Sequence, residues 1–145
     1  MNPSSVRGTV FERMAPPKAS TLLGWTLKSH DEATGDVEIG FDAKPEFANP
    51  RGYIQGGILA AMLDDTMGPA VFIRTGGEYF PVTIDLHAQY LRPVKAGPVT
   101  AKARVVQLGK SVAFMEGELF DDKGRVAVRA TASASLLRSD VQEAV

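Results

Sequence analysis

The stretch Asn49-Pro50-Arg51-Gly52-Tyr53-Ile54-Gln55-Gly56-Gly57 runs directly into Ile58-Leu59-Ala60-Ala61-Met62-Leu63-Asp64-Asp65. A polar loop passes through a glycine pair into an apolar segment that carries two carboxylates. A helix opened by glycine presents free backbone N–H groups to a developing oxyanion. A carboxylate two turns further on can serve as base or nucleophile. Cleavage of a thioester requires both devices.

These residues need a helix, and the sequence predicts one over 56–73. Apart from Asp64, Asp65 and Thr66 it is apolar or small on every face, so it is expected to be buried all round. Pro69 has no N–H for the carbonyl of Asp65 and should bend the helix there. Gly57, Ala61, Asp64 and Gly68 fall on one face. A carboxylate on a face of small residues leaves room for close approach, either of a substrate or of another subunit. Asp65 lies about 100° further round and is expected to be structural.

The helix in turn needs a wall. Segments 82–91, 99–108, 112–120 and 126–137 read as strands, with clear alternation at Val99/Ala101/Ala103/Val105 and Val126/Val128/Ala130/Ala132. Their short connections predict antiparallel neighbours, the tightest at Asp121-Asp122-Lys123-Gly124. Upstream, 21–29 and 37–41 predict a hairpin around the turn at 31–36, and 43–54 a long loop of the kind that often carries function. Residues 1–19 are polar, with room for a short helix before Pro16-Pro17, and 138–145 read as a loose tail. The expected class is α+β, one domain over 1–145: a curved antiparallel sheet of about six strands around one long helix.

Composition narrows the function. The 145 residues carry a net charge of −1, which supplies no strong field for nucleic acid. The absence of cysteine removes disulfides, thiolate metal sites and a Cys nucleophile. His30 and His87 are the only histidines and do not form a paired metal motif. The N-terminus lacks the apolar run of a signal peptide, and no stretch approaches ~18 uninterrupted apolar residues, so a cytoplasmic protein without a membrane span is expected.

Three segments resemble the hotdog-fold, PaaI-type acyl-CoA thioesterases. They are Asn49, Gly52, Gln55-Gly56-Gly57 and Asp64; Val82-Thr83-Ile84-Asp85 with Tyr90-Leu91-Arg92-Pro93 and Gly97; and Gly109-Lys110-Ser111-Val112-Ala113-Phe114 with Asp121 to Gly124. The resemblance covers roughly residues 20–137. It implies hydrolysis of acyl-CoA to a free acid and CoA, with no cofactor beyond the CoA of the substrate. Asp64 would be nucleophile or base, and the Gly56 amide would polarise the carbonyl. Asn49 and Thr83 would position thioester and water. Gln55, Gly57, Gly68, Lys110 and Ser111 would line the substrate site, with lysine suited to phosphate. The resemblance also implies a homodimer or homotetramer, with Asp64 facing Gly56 and Asn49 of the partner subunit. Gln55 stands where the family usually has histidine; it can donate and accept hydrogen bonds but carries no proton at neutral pH. Two rival readings follow: a non-hydrolytic acyl-CoA-binding protein, and a hotdog hydratase or dehydratase if His87 reaches the pocket.

Overall fold

The computed structural model describes residues 1–139. Six strands form one antiparallel sheet: β1 (Thr26–His30), β2 (Val37–Ala43), β3 (Tyr79–Tyr90), β4 (Gly97–Leu108), β5 (Val112–Phe120) and β6 (Val126–Arg138). A short α1 (Lys18–Leu22) precedes them, and the long α2 (Gly56–Arg74) lies against the sheet. The expected architecture of a sheet around one helix is met.

The inward faces of β4 to β6 are built largely from small residues. Ala101, Ala103, Ala113, Ala130, Ala132 and Ala134 are buried there, and the larger Leu63, Met67 and Val71 of α2 fill the space they leave. At Gly117 a Cβ would lie 3.2–3.3 Å from Met67 and Leu63, so β5 rides close on the helix.

The strand order is β1-β2-β4-β5-β6-β3. This corrects the expected pairing of β3 with β4. β3 instead pairs with β6 from Tyr79↔Arg138 to Tyr90↔Val128, and β4 pairs with β2. The link between them does not form a hairpin. The amides of Leu91 and Arg92 both donate to the Ala127 carbonyl, and the Val94 carbonyl then accepts from Ile54 N–H at 2.9 Å. The link is thus carried past β6 to the loop that precedes α2.

The segment 21–29 also differs from expectation. Residues 18–22 are helical, opened by the Pro17 carbonyl accepting from Thr21 N–H at 3.0 Å, and Gly24 at φ 72° ends the turn before β1. Residues 1–19 contribute more than polar surface. Two 3-10 turns, Pro3–Val6 and Val10–Arg13, bury Val6 and Phe11. Phe11 packs on Trp25 and Phe72 with ring centroids 5.4 Å away in each case. The expected tail begins inside β6, which runs to Arg138; Ser139 N–H then donates to the Glu78 carbonyl, and the remainder lies outside the described residues.

Pro69 sits inside α2 as expected, and the bond it cannot make is replaced. The carbonyl of Asp65 accepts from Trp25 Nε1 at 2.9 Å. Trp25 therefore supplies, from the first strand region, the donor that proline removes from the helix.

The sheet's two edges differ. At β1 the N-terminal turn covers the backbone: Leu27 N–H donates to Ser5 Oγ, and Asn2 N–H to the Trp25 carbonyl, both at 3.2 Å. Among the described residues the twelve-residue β3 has no neighbour on its outer side, and Phe80, Val82 and Ile84 on it are 47%, 44% and 58% exposed. A long, apolar, unpaired edge is a ready template for another strand.

Candidate active site

Helix α2 is not covered all round, which corrects the expectation of complete burial. Gly57 and Ala61 are exposed and Asp64 and Gly68 partly so, while Leu59, Met62, Leu63, Thr66 and Met67 are buried. The open stripe is the face of small residues on which Asp64 stands. By length and composition α2 could cross a membrane; here it is the helix that fills the sheet.

Asp64 has one partner on this stripe. Thr83 Oγ1, from β3, donates to its Oδ1 at 2.7 Å. The other carboxylate oxygen remains available for a proton. Thr83 reaches inward because of a bulge. Thr83 pairs with Ala134 and Asp85 with Ser133, so Ile84 is the extra residue. Strict alternation would place Thr83, Asp85 and His87 on one face. The bulge instead sends Thr83 to the helix and Asp85, His87 and Gln89 to the outer face. There Asp85 accepts from the N–H and hydroxyl of Ser133, and Gln89 accepts from Arg129 Nε at 2.6 Å.

His87 lines a groove of about 780 Å³ on that outer face, with Lys102, Arg104, Glu116, Arg129 and Thr131. The sheet separates this groove from Asp64, and Arg104 is already paired with Glu116. This argues against a hydratase built on His87.

At the start of α2, Gln55 is exposed and makes no side-chain capping bond. Its carbonyl accepts from Ile58 and Leu59, whereas the amides of Gly56 and Gly57 bond to nothing among the described residues. They are the free donors expected of a helix N-terminus. Tyr90, which opens the second motif's Tyr90-Leu91-Arg92-Pro93 run, also lies here. It is 49% exposed, and its hydroxyl donates to the Gly56 carbonyl at 2.7 Å.

Asn49 organises the loop before the helix. Its Oδ1 accepts from Arg51 N–H at 2.9 Å and Tyr53 N–H at 3.1 Å, and its own N–H donates to the Tyr53 carbonyl. With the oxygen so engaged, the two donors of the side-chain amide remain free to face a ligand. Lys110 and Ser111 are exposed in the β4–β5 turn, where the Ser111 carbonyl accepts from Leu136 N–H at 2.9 Å. That turn lies beside the C-terminal end of α2, since Gly109 lines a small pocket with Arg74 and Thr75.

The site residues therefore divide into two groups. Asp64, Thr83 and Gly68 gather around the middle of α2, with Pro81 of β3 3.6 Å from a Cβ built at Gly68. Asn49, Gln55, Gly56, Gly57 and Tyr90 gather at its N-terminus. Eight residues of helical rise put ~12 Å between Gly56 and Asp64 of one chain.

Asp65 points away from the open stripe. Its Oδ2 is buried without a hydrogen-bond partner. Burial pushes its carboxyl up to about 6; the Ser20 hydroxyl pulls it down, Asp64 raises it further, and the Met1 ammonium lowers it.

The model of the thioesterase superfamily matches residues 51–128, more than half of the chain. The chain is 33% identical over 106 residues to a protein of Saccharolobus solfataricus named as an esterase, covering 73% of this chain and 74% of that one. It is 30% identical over 90 residues to the proofreading thioesterase EntH of Klebsiella pneumoniae, covering 62% of this chain and 64% of that one. Among solved structures, a thioesterase from Ralstonia eutropha JMP134 described as phenylacetic acid degradation-related superposes with a TM-score of 0.81 at 34% identity, over 88% of this chain and 99% of that one. The chain belongs to the thioesterase superfamily. It is a hydrolase of that kind, and the resemblance read from the three motifs holds.

Proposed function

We propose that this protein hydrolyses acyl-CoA thioesters in a site shared by two copies of the chain. One observation carries the reading: a carboxylate held by Thr83 on an open face of small residues, with the free helix-end amides ~12 Å along the same helix. A base and an oxyanion donor serving one carbonyl must lie within a few ångströms of it. The distance along one helix is too long, so the two groups come from different copies. The uncovered edge of β3 is the seam that supports this arrangement. Antiparallel pairing of two β3 strands about a two-fold axis sets two α2 helices side by side, running in opposite directions. Asp64 of each copy is then placed toward Gly56 of the other.

As base, Asp64 takes a proton from water while the hydroxide adds to the thioester carbon. The carbonyl oxygen becomes an oxyanion bonded to Gly56 N–H and favoured by the helix dipole. The tetrahedral intermediate expels the thiolate of CoA, which takes the proton from Asp64. As nucleophile, Asp64 adds to the carbon itself and expels the thiolate, and water then cleaves the anhydride. In the first route Asp64 supplies the acid–base chemistry, in the second the nucleophile, and neither calls on a metal or redox group. Asn49 orients the thioester through its free amide donors, and Lys110 offers a cation to the CoA phosphates.

Free-thiol release from a panel of acyl-CoAs tests the reading. Turnover on at least one member, reduced ~100-fold or more in Asp64→Asn, is expected for loss of a base or nucleophile. Acyl-CoA binding without turnover would replace it with a binding protein. Undiminished turnover in Asp64→Asn would remove Asp64 from the chemistry.

A further inference from the structure

We infer that Tyr90 is a positioning residue that makes the Gly57 amide a second oxyanion donor, acting through the peptide between Gly56 and Gly57. The inference rests on the thioesterase reading above and assigns roles to two groups that the reading leaves aside.

The argument begins with one peptide unit. The Gly56 carbonyl and the Gly57 N–H are its two ends. The hydroxyl of Tyr90, at the end of β3 and 34 residues away in sequence, donates to that carbonyl at 2.7 Å. The carbonyl also takes its ordinary helical bond from four residues on. A carbonyl that accepts two donors draws electron density through the amide, and the N–H at the other end becomes a stronger donor. That N–H belongs to Gly57, which is exposed, makes no backbone bond among the described residues, and has nothing within 4 Å of the position a Cβ would occupy. Its own chain therefore leaves it open to a ligand held between the two copies.

The seating of Tyr90 is specific. Its ring lies against Gly56 so closely that a Cβ there would sit 3.3 Å from two ring carbons. Glycine at 56 is thus needed for the ring to reach over the helix end, as well as for access to the backbone. The strand end is fixed by the Leu91 N–H bond to the Ala127 carbonyl at 2.7 Å. A tyrosine that is 49% exposed gains little from burial, yet its hydroxyl is committed to one backbone oxygen. Alignment of that peptide accounts for the arrangement.

Tyr90→Phe keeps the ring and removes only the donor. With an acyl-CoA that the wild type hydrolyses, the expected result is a kcat lower by about 1.5- to 4-fold, the size of a roughly 10–30% weakening of one hydrogen bond to a charged oxygen, with KM nearly unchanged. In 15N-labelled protein without substrate, the Gly57 amide proton moves upfield while that of Gly56, which belongs to the preceding peptide, stays in place. Gly56→Ala displaces the ring and shifts the Gly57 amide in the same direction; if it does not fold, Tyr90→Phe decides alone. An unmoved Gly57 amide overturns the coupling. A moved amide with unchanged kcat, or an effect confined to KM, overturns the positioning role. Wild-type protein without turnover on any acyl-CoA removes the thioesterase reading, and the positioning role with it, whatever the amide does.

Discussion

The hydroxyl of Thr83 donates to Oδ1 of Asp64 at 2.7 Å, tying the open edge strand to the middle of the central helix. The bond makes one carboxylate oxygen an acceptor, and the other takes no hydrogen bond among the described residues. It also means that anything that displaces β3 displaces the partner of Asp64.

Removing this donor is expected to matter only while the carboxylate is present. Thr83→Val should lower kcat/KM by about 10-fold, in line with a hydrogen bond to a charged group, and Thr83→Ser should retain most of the activity. In an Asp64→Asn background, Thr83→Val should add little. Steady-state kinetics on the four proteins of this cycle measure the coupling; fully additive losses would show that the two side chains act separately.

The proposed division of the site between two copies permits a complementation test. Asp64→Asn and Gly56→Ala homodimers should each be nearly inactive. Subunits exchanged at equal ratio form mixed dimers in which one site carries both substitutions and the other neither. Activity should recover to about a quarter of wild type, since half of the dimers are mixed and each has one intact site of two. Absence of recovery in a mixture shown by mass spectrometry to contain mixed dimers would place all the groups in one chain.

Asn49 is engaged through its oxygen, so its two proposed contributions can be separated. Asn49→Ala leaves two backbone donors without their acceptor and should cost about 1–3 kcal/mol of stability. Asn49→Asp keeps the acceptor and removes the amide donors. It should melt close to wild type yet lose activity. Full activity in Asn49→Asp would confine the residue to the turn.

Asp65 sets a pH dependence of stability whose sign follows from its raised pKa of about 6. Between the unfolded value, near 3.9, and 6, the folded protein holds a proton that the unfolded chain has released. Stability from this group is therefore full below about pH 4, falls as pH rises to 6, and is level above it. At pH 8 the charged, buried carboxylate is a net cost of at most ~3 kcal/mol. Asp65→Asn should raise Tm at pH 8 and give little gain at pH 4. Thermal melts across that range check it, and an equal gain at both ends would show that burial of the charge is not the cause.

The helix that carries the candidate site, and the face on which Asp64 stands, were legible in the chain because they depend on local order. The glycine pair opens a helix wherever that helix packs, and the spacing 57, 61, 64, 68 puts Asp64 on a small-residue face by helical geometry alone. What failed to show depends on contacts between distant residues. The place of β3 beside β6 follows from the path of the link after Tyr90, and a short link suggests a hairpin instead. The bulge at Ile84 separates Thr83 from His87, yet strict alternation would have kept them together. The opening 19 residues looked like polar surface because Val6 and Phe11 are isolated among polar neighbours, and only the folded core shows where they go. Tyr90 stood out only as part of a motif and not for its bond, since an aromatic residue in a strand is ordinary and its partner is a backbone oxygen far along the chain.

Trp25 is the single indole of this protein, and its N–H rests on the carbonyl of the residue next to Asp64. Its ring is buried against Phe11, away from bulk water. The molecule thus contains one indole fluorophore hydrogen-bonded to the helix that bears Asp64. Any ligand that displaces α2 would change the hydrogen bond that the excited indole makes. Emission from unlabelled protein therefore offers a binding readout for the proposed acyl-CoA substrates that does not depend on turnover.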